Sequence, residues 1–197
     1  MNSLRLLSGR RPARLIDPVV RVLVALGVTP LMLTLGGFLG NVVAAALIAG
    51  GALPAGGVVM LVASALDLFD GAVARATGKA SDFGALLDST FDRLSEAAVL
   101  FGVLVYATGR GDREAALLVF VAVVGSIMVS YVRAKAEASG VALTEGLFTR
   151  PERVALLAVA LVTGWLRLGL WLLAVLAMLT ALQRLYLTGR ALRGRTR

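Results

Sequence analysis

Residues 22–66 read "VLVALGVTPLMLTLGGFLGNVVAAALIAGGALPAGGVVMLVASAL" and contain no Asp, Glu, Lys or Arg. A helix needs about 20 mostly apolar residues to cross the hydrocarbon of a bilayer, so the run is long enough for two crossings. The stretch "GGALPAGG" at 50–57 interrupts it where a turn between them belongs. Thr29-Pro30 is a helix start, with a capping hydroxyl followed by a proline at the first helical position. The first two spans are thus expected at about 30–49 and 54–77.

Working outward, "TGKASDFG" separates a third span at about 83–107, and "TGRGDRE" a fourth at about 113–137. The last two uncharged runs, Val154–Leu166 and Leu168–Gln183, are shorter and reach a full crossing only by drawing Arg153 and Arg184 to the inner membrane boundary. On the N-terminal side, "DPVVRVLVALG" offers Asp17 as a helix cap, Pro18 as first helical residue and Gly27 as terminator. It reads as an amphipathic helix lying along the membrane interface, with Arg14 and Arg21 toward the headgroups, a first half-span being the alternative that this segment alone leaves open. The expectation is an all-α integral membrane protein of six transmembrane helices plus that interfacial helix. It forms one domain: an interfacial segment 1–28, a bundle 29–190 and a tail 191–197.

Composition agrees. Of 197 residues 58% are hydrophobic and 16% charged, and the mean hydropathy is +0.87, outside the range of soluble domains. The net charge of +8 does not point to nucleic acid, because the basic residues are scattered through loops and tails instead of forming a stripe with interleaved aromatics. All but Arg110, Arg113 and Arg167 of the 20 lysines and arginines fall in the N-terminus, the second loop, the fourth loop or the C-terminus. By the positive-inside rule these face the cytoplasm, so both termini of a multi-pass cytoplasmic-membrane protein lie there. The five arginines within the first 21 residues precede any adequate apolar core, so no cleavable signal peptide is expected. There is no cysteine and no histidine. Imidazole bases, thiolate nucleophiles and soft-metal sites are thereby excluded, leaving carboxylates, hydroxyls, Lys and Arg for chemistry and hard, oxygen-seeking ions for any metal.

The charge-free run ends in acids. Asp67, Asp70, Gly71, Ala74 and Arg75 follow helical spacing on one stripe, and Gly84, Asp88 and Asp92 do so on the next helix. Two antiparallel neighbours can aim four carboxylates into one volume. Each costs roughly 2.5–3.5 kcal/mol at mid-bilayer and less near its boundary, so two divalent cations, Mg²⁺ or Mn²⁺, would relieve the repulsion. Small residues on the same stripes leave room for a bulky ligand. One alternative is acids at helix ends paired with Arg75 and Arg93; another is the ion pathway of a divalent-cation transporter, against which all four acids lie near one membrane face.

"DLFDGAVARATGKASDFGALLDSTFD" at 67–92 resembles the signature of the CDP-alcohol phosphotransferase family, D-x2-D-G-x2-A-R-x8-G-x3-D-x3-D. The resemblance implies two metals per active site held by Asp67, Asp70, Asp88 and Asp92, with Asp92 also accepting the proton of the incoming alcohol. It implies that Gly71 and Ala74 border the cytidine and that Arg75 holds the diphosphate. Thr34, the backbone of Leu31, Met32, Leu33 and Thr34, and Ser81 would complete the CDP-diacylglycerol site. Family members carry Asn or Asp after the proline of "TP", where this chain has Leu31. A homodimer is also implied, and Gly36, Gly37, Gly40 and Gly102 are small enough to allow close helix packing.

The signature leaves the acceptor open among glycerol phosphate, inositol, inositol phosphate, serine and choline. "SYVRAKAEASG" and "RPER" are similar to the actinobacterial phosphatidylinositol phosphate synthase branch of the family. That resemblance implies that Ser130, Arg133, Arg153 and Arg184 cradle the phosphate of inositol 1-phosphate, a planar-fork task suited to arginine. Lys135 and Arg150 read as ordinary surface charge. Phosphatidyl transfer from CDP-diacylglycerol to inositol 1-phosphate is the expected reaction, with glycerol 3-phosphate the rival acceptor.

Overall fold

A computed structural model describes residues 13–143 and 146–195, the side chains from Pro18 onward. It comprises α1 (Ala13–Ala25), α2 (Pro30–Ala49), α3 (Leu53–Ala76), α4 (Asp82–Gly109), α5 (Arg113–Ala138), α6 (Arg150–Thr163) and α7 (Leu166–Arg195), with no strand among the described residues. Four of them, α2, α3, α5 and α7, are long and apolar enough to cross a membrane.

Local chemistry sets the ends. Thr29 Oγ1 accepts the Met32 N–H at 3.3 Å, Ser81 Oγ the Gly84 N–H at 3.1 Å, and Asp112 Oδ1 the Ala115 N–H at 3.0 Å. Each quiets a donor that a helix start leaves without an intrahelical partner. Thr149 and Glu152 form a reciprocal capping box at the start of α6. Gly164 closes α6 at φ 79°, a left-handed conformation that favours glycine. The first helix differs from expectation: α1 begins at Ala13, so Pro18 is inside it and Asp17 is not the residue that opens it. Pro18 deletes one backbone hydrogen bond, but the helix-compatible Ala13–Ile16 turn continues ahead of it. Arg5, Arg10 and Arg11, and the side chains of Arg14 and Asp17, lie outside the described residues.

Helix α2 is the central wedge. It packs along both α3 and α4, which have no extensive contact with each other; α5 packs on α7, and α6 on α3 and α7. The expected side-by-side packing of the two acid-bearing helices is therefore replaced by two helices flanking a third. Ile48, Leu100, Val103, Leu161, Leu170 and Leu173 fill the interior. Missing side chains let the backbones close: a Cβ on Gly37 would strike Asp67 Oδ1, on Gly40 Ala63 Cβ, and on Gly102 the Ala45 backbone. These glycines thus serve packing within the chain, while Gly36 meets nothing within 4 Å. Phe101, Phe120, Trp165 and Tyr186 remain more than 60% exposed, as expected of side chains whose solvent is lipid.

Candidate active site

The last three turns of α3 and the first half of α4 carry the acids. Asp70 is buried; its Oδ2 accepts the Thr34 hydroxyl at 2.8 Å, and its Oδ1 faces the Gly71 N–H. Asp88 is close enough to Asp70, Asp67 and Asp92 to feel their charges. The four predicted carboxylates thus share one neighbourhood. Between two of them lies a cation the sequence reading left on the surface. Arg150 donates from Nη2 to Asp67 Oδ2 at 2.9 Å and from Nη1 to Asp92 Oδ1 at 2.7 Å, with its side chain 24% exposed. Arg150 is therefore a member of the site. Its position at the first residue of α6 aims it at both acid-bearing helices, a relation between remote segments that spacing along one helix does not reveal.

Every donor in this cluster is a hard oxygen, which fits Mg²⁺ or Mn²⁺ in kind. Among the described residues no three acidic side chains are close enough together to hold a metal ion as arranged. The guanidinium bridging α3 and α4 is a stand-in: positive charge is already accommodated between these carboxylates. Asp67, Asp70, Asp88 and Asp92 are the residues that would hold a divalent ion in its place.

Beside Asp92 opens a cavity of about 360 Å³ whose lining includes Ser130, Arg133, Arg150, Arg153 and Arg184. All four residues predicted for the acceptor phosphate are thus brought together next to Asp92. Their bonds differ. Arg153 is 3% exposed and pairs with Glu96 through Nε–Oε1 at 2.6 Å and Nη2–Oε2 at 2.8 Å, the two-pronged geometry in which arginine binds a carboxylate most strongly. Arg184 donates from Nη1 to the Val129 carbonyl at 2.9 Å, and Gly146 passes close under its guanidinium. Arg133 pairs with Glu137 one turn along at 2.8 Å and is half exposed, the most accessible of the three. Lys135 sits 5.9 Å from the Tyr131 ring centroid, consistent with its reading as peripheral charge. Glu96 escaped the sequence reading, although it extends the Gly84, Asp88, Asp92 stripe by another four residues.

Of the residues expected to meet the donor, Arg75 folds back so that a Cβ on Gly71 would lie 3.3 Å from its Nη1. Ser81 is the cap of α4. Leu31 and Met32 are exposed, whereas the Leu33 side chain is buried against Val20 and Val73, leaving its backbone alone for a ligand.

Hard-oxygen acids facing a basic cavity at one end of a helical membrane bundle define a site for phosphate-ester chemistry. Residues 27–183 match the family described as CDP-alcohol phosphatidyltransferase, and the chain belongs to that family. It is 39% identical to the archaetidylinositol phosphate synthase of Pyrococcus horikoshii over 87% of this chain and 89% of the relative. It is 37% identical to the phosphatidylinositol phosphate synthase of Mycobacterium tuberculosis over 94% and 91%. The crystal structure of the M. tuberculosis phosphatidylinositol phosphate synthase with CDP-DAG bound superposes with a TM-score of 0.81 at 35% identity, covering 89% of this chain and 94% of that one. The same protein in complex with manganese and citrate gives 0.79 at 34% identity, covering 87% of each.

Proposed function

We propose that the protein transfers the phosphatidyl group of CDP-diacylglycerol to inositol 1-phosphate, yielding phosphatidylinositol phosphate and CMP. The observation that carries this reading is the basic cavity whose wall includes Asp92: an acceptor's phosphate among Ser130, Arg133, Arg153 and Arg184 would put its hydroxyl beside a carboxylate. Relatives named for inositol phosphate chemistry support it.

In this reading Thr34, the backbone of residues 31–34, Gly71, Ala74, Arg75 and Ser81 hold the cytidine diphosphate portion, with Arg75 on the diphosphate. Asp67, Asp70, Asp88 and Asp92 hold two Mg²⁺ or Mn²⁺ ions. When bound, these would polarise the phosphate and stabilise the leaving CMP. Asp92 takes the proton of the acceptor hydroxyl as its oxygen bonds to the phosphorus next to diacylglycerol and the bond to CMP breaks.

The whole chain is one membrane domain of six crossings with an interfacial α1, lodged in the cytoplasmic membrane with both termini inside, and it works as a homodimer. Exposed Val19 and Val22 on α1, and Leu26 in the turn just after it, support its interfacial placement. The ion pair with Glu96 supports α6 as a crossing, because a neutralised Arg153 can lie at membrane depth. At about 1.5 Å per residue the 14 residues of α6 are short for a bilayer, so its basic first turn belongs near the boundary.

The test offers labelled CDP-diacylglycerol with inositol 1-phosphate, glycerol 3-phosphate or inositol to the purified protein. Phosphatidylinositol phosphate and CMP are expected from the first alone. Product from glycerol 3-phosphate and none from inositol 1-phosphate would reassign the acceptor.

A further inference from the structure

We propose that Arg150 is the site's built-in counter-ion, holding Asp67 and Asp92 while no metal is bound and turning into the basic cavity when divalent cations take those carboxylates. The inference rests on the metal-dependent reading above and adds to it an order of events and a residue that enforces it.

Three observations converge. First, one guanidinium joins acids of two helices that otherwise lack extensive contact, with both terminal nitrogens engaged. A doubly charged ion between the same oxygens would stand at contact distance from it, and like charges so close in a partly buried site exclude each other. Second, Arg150 Nε is buried with no hydrogen-bond partner. A charged donor left unmet costs free energy, so this pose is suited to the acids at the expense of the side chain's own third donor. Third, Arg150 lines the 360 Å³ cavity that also holds Ser130, Arg133, Arg153 and Arg184. The capping box of Thr149 and Glu152 fixes its backbone, so rotation about its side-chain bonds is enough to move the charge from one place to the other.

The consequences are chemical. In the bridged pose Asp92 Oδ1 receives a charge-assisted hydrogen bond and is not free to take the acceptor's proton. Release of Arg150 frees that oxygen and adds a cation to the phosphate cradle in one motion. Metal and phosphate acceptor then strengthen each other's binding, as linkage requires of two ligands that favour the same side-chain position.

The test measures Mn²⁺ binding to the full-length protein in detergent with no substrate present, following free Mn²⁺ by electron paramagnetic resonance. R150M removes the competing charge and should bind Mn²⁺ about tenfold more tightly, within the usual range of coupling between sites. R150K, a point charge that cannot bridge both carboxylates, should fall between wild type and R150M, and carries the same test if R150M does not fold. In a second arm, Mn²⁺ should tighten binding of inositol 1-phosphate to wild type and lose most of that effect in R150M. Mn²⁺ affinity in the folded variants equal to or below that of wild type overturns the inference while leaving the reaction untouched. If wild type and variants alike bind no Mn²⁺, both this inference and the metal-dependent reading beneath it fall.

Discussion

Replacing Glu96 with leucine removes one half of the two-pronged pair with Arg153 and leaves a guanidinium 3% exposed with no counter-charge. Breaking a buried ion pair from one side costs about 3–5 kcal/mol. The lower end applies, because Arg153 also borders the cavity and can recover some hydration there. About 3 kcal/mol in a chain of this length corresponds to a melting temperature lower by roughly 6–12 °C. Thermal unfolding in detergent reads it directly. E96L/R153M, which removes both charges, should recover most of the loss, since an apolar pair of similar volume often replaces a buried ion pair at no net cost. The double-mutant cycle isolates the coupling. E96L should also raise the KM for inositol 1-phosphate, because Arg153 is no longer fixed in the cavity wall. An E96L protein that melts within about 2 °C of wild type, or a double variant no more stable than E96L, would refute the claim that this buried ion pair stabilises the fold.

Other outcomes follow from the same geometry. D92N should lose turnover by a factor of at least about 100 while single-turnover mixing shows CDP-diacylglycerol still bound; activity near wild type would remove Asp92 as the base. G37A places a methyl group on Asp67 Oδ1 and close to the Ala63 carbonyl, an overpacking that should cost about 1–3 kcal/mol and weaken Mn²⁺ binding, whereas G36A, which meets no neighbour within 4 Å, should do neither. At the opposite end of the bundle, the Ala115 N–H and Arg167 hold the Asp112 carboxyl below its ordinary range. A depressed carboxyl contributes stability above its unfolded value, about pH 4, and loses it as pH falls through the folded one. The melting temperatures of wild type and D112N should therefore differ at pH 6 and converge below about pH 4; a constant gap would contradict it.

Helix limits were legible where chemistry punctuates the chain. Thr29-Pro30, the 50–57 glycines and the polar "TGRGDRE" loop put α2, α3 and α5 within a residue or so of expectation. The acid stripe was legible because its charges interrupt apolar helices at helical spacing. Pro18 misled, because proline is at home in the first turn but is also tolerated deeper in a helix whose neighbours supply enough propensity. Arg150 and Glu96 were not picked out, and for a common reason. Arginine near a membrane boundary satisfies the positive-inside rule wherever it points, and the glutamate's partner lies 57 residues away. Which charge meets which is decided by how α6 leans on its neighbours, a property of packing that no local pattern carries. The glycines at 37, 40 and 102 were legible as sites of close approach, but not as approach within one chain.

The capping box at Thr149 and Glu152 has a corollary for anyone wishing to retarget the acceptor. Arg150 and Arg153 hang from the same locked turn, one reaching the acids of α3 and α4, the other the wall of the cavity. Transplanting that turn from a homologue with a different alcohol preference would retune the electrophile's end together with the nucleophile's. Selectivity is more safely altered from Ser130 and Arg133 on α5, which approach the cavity on a separate helix and hold none of the acids.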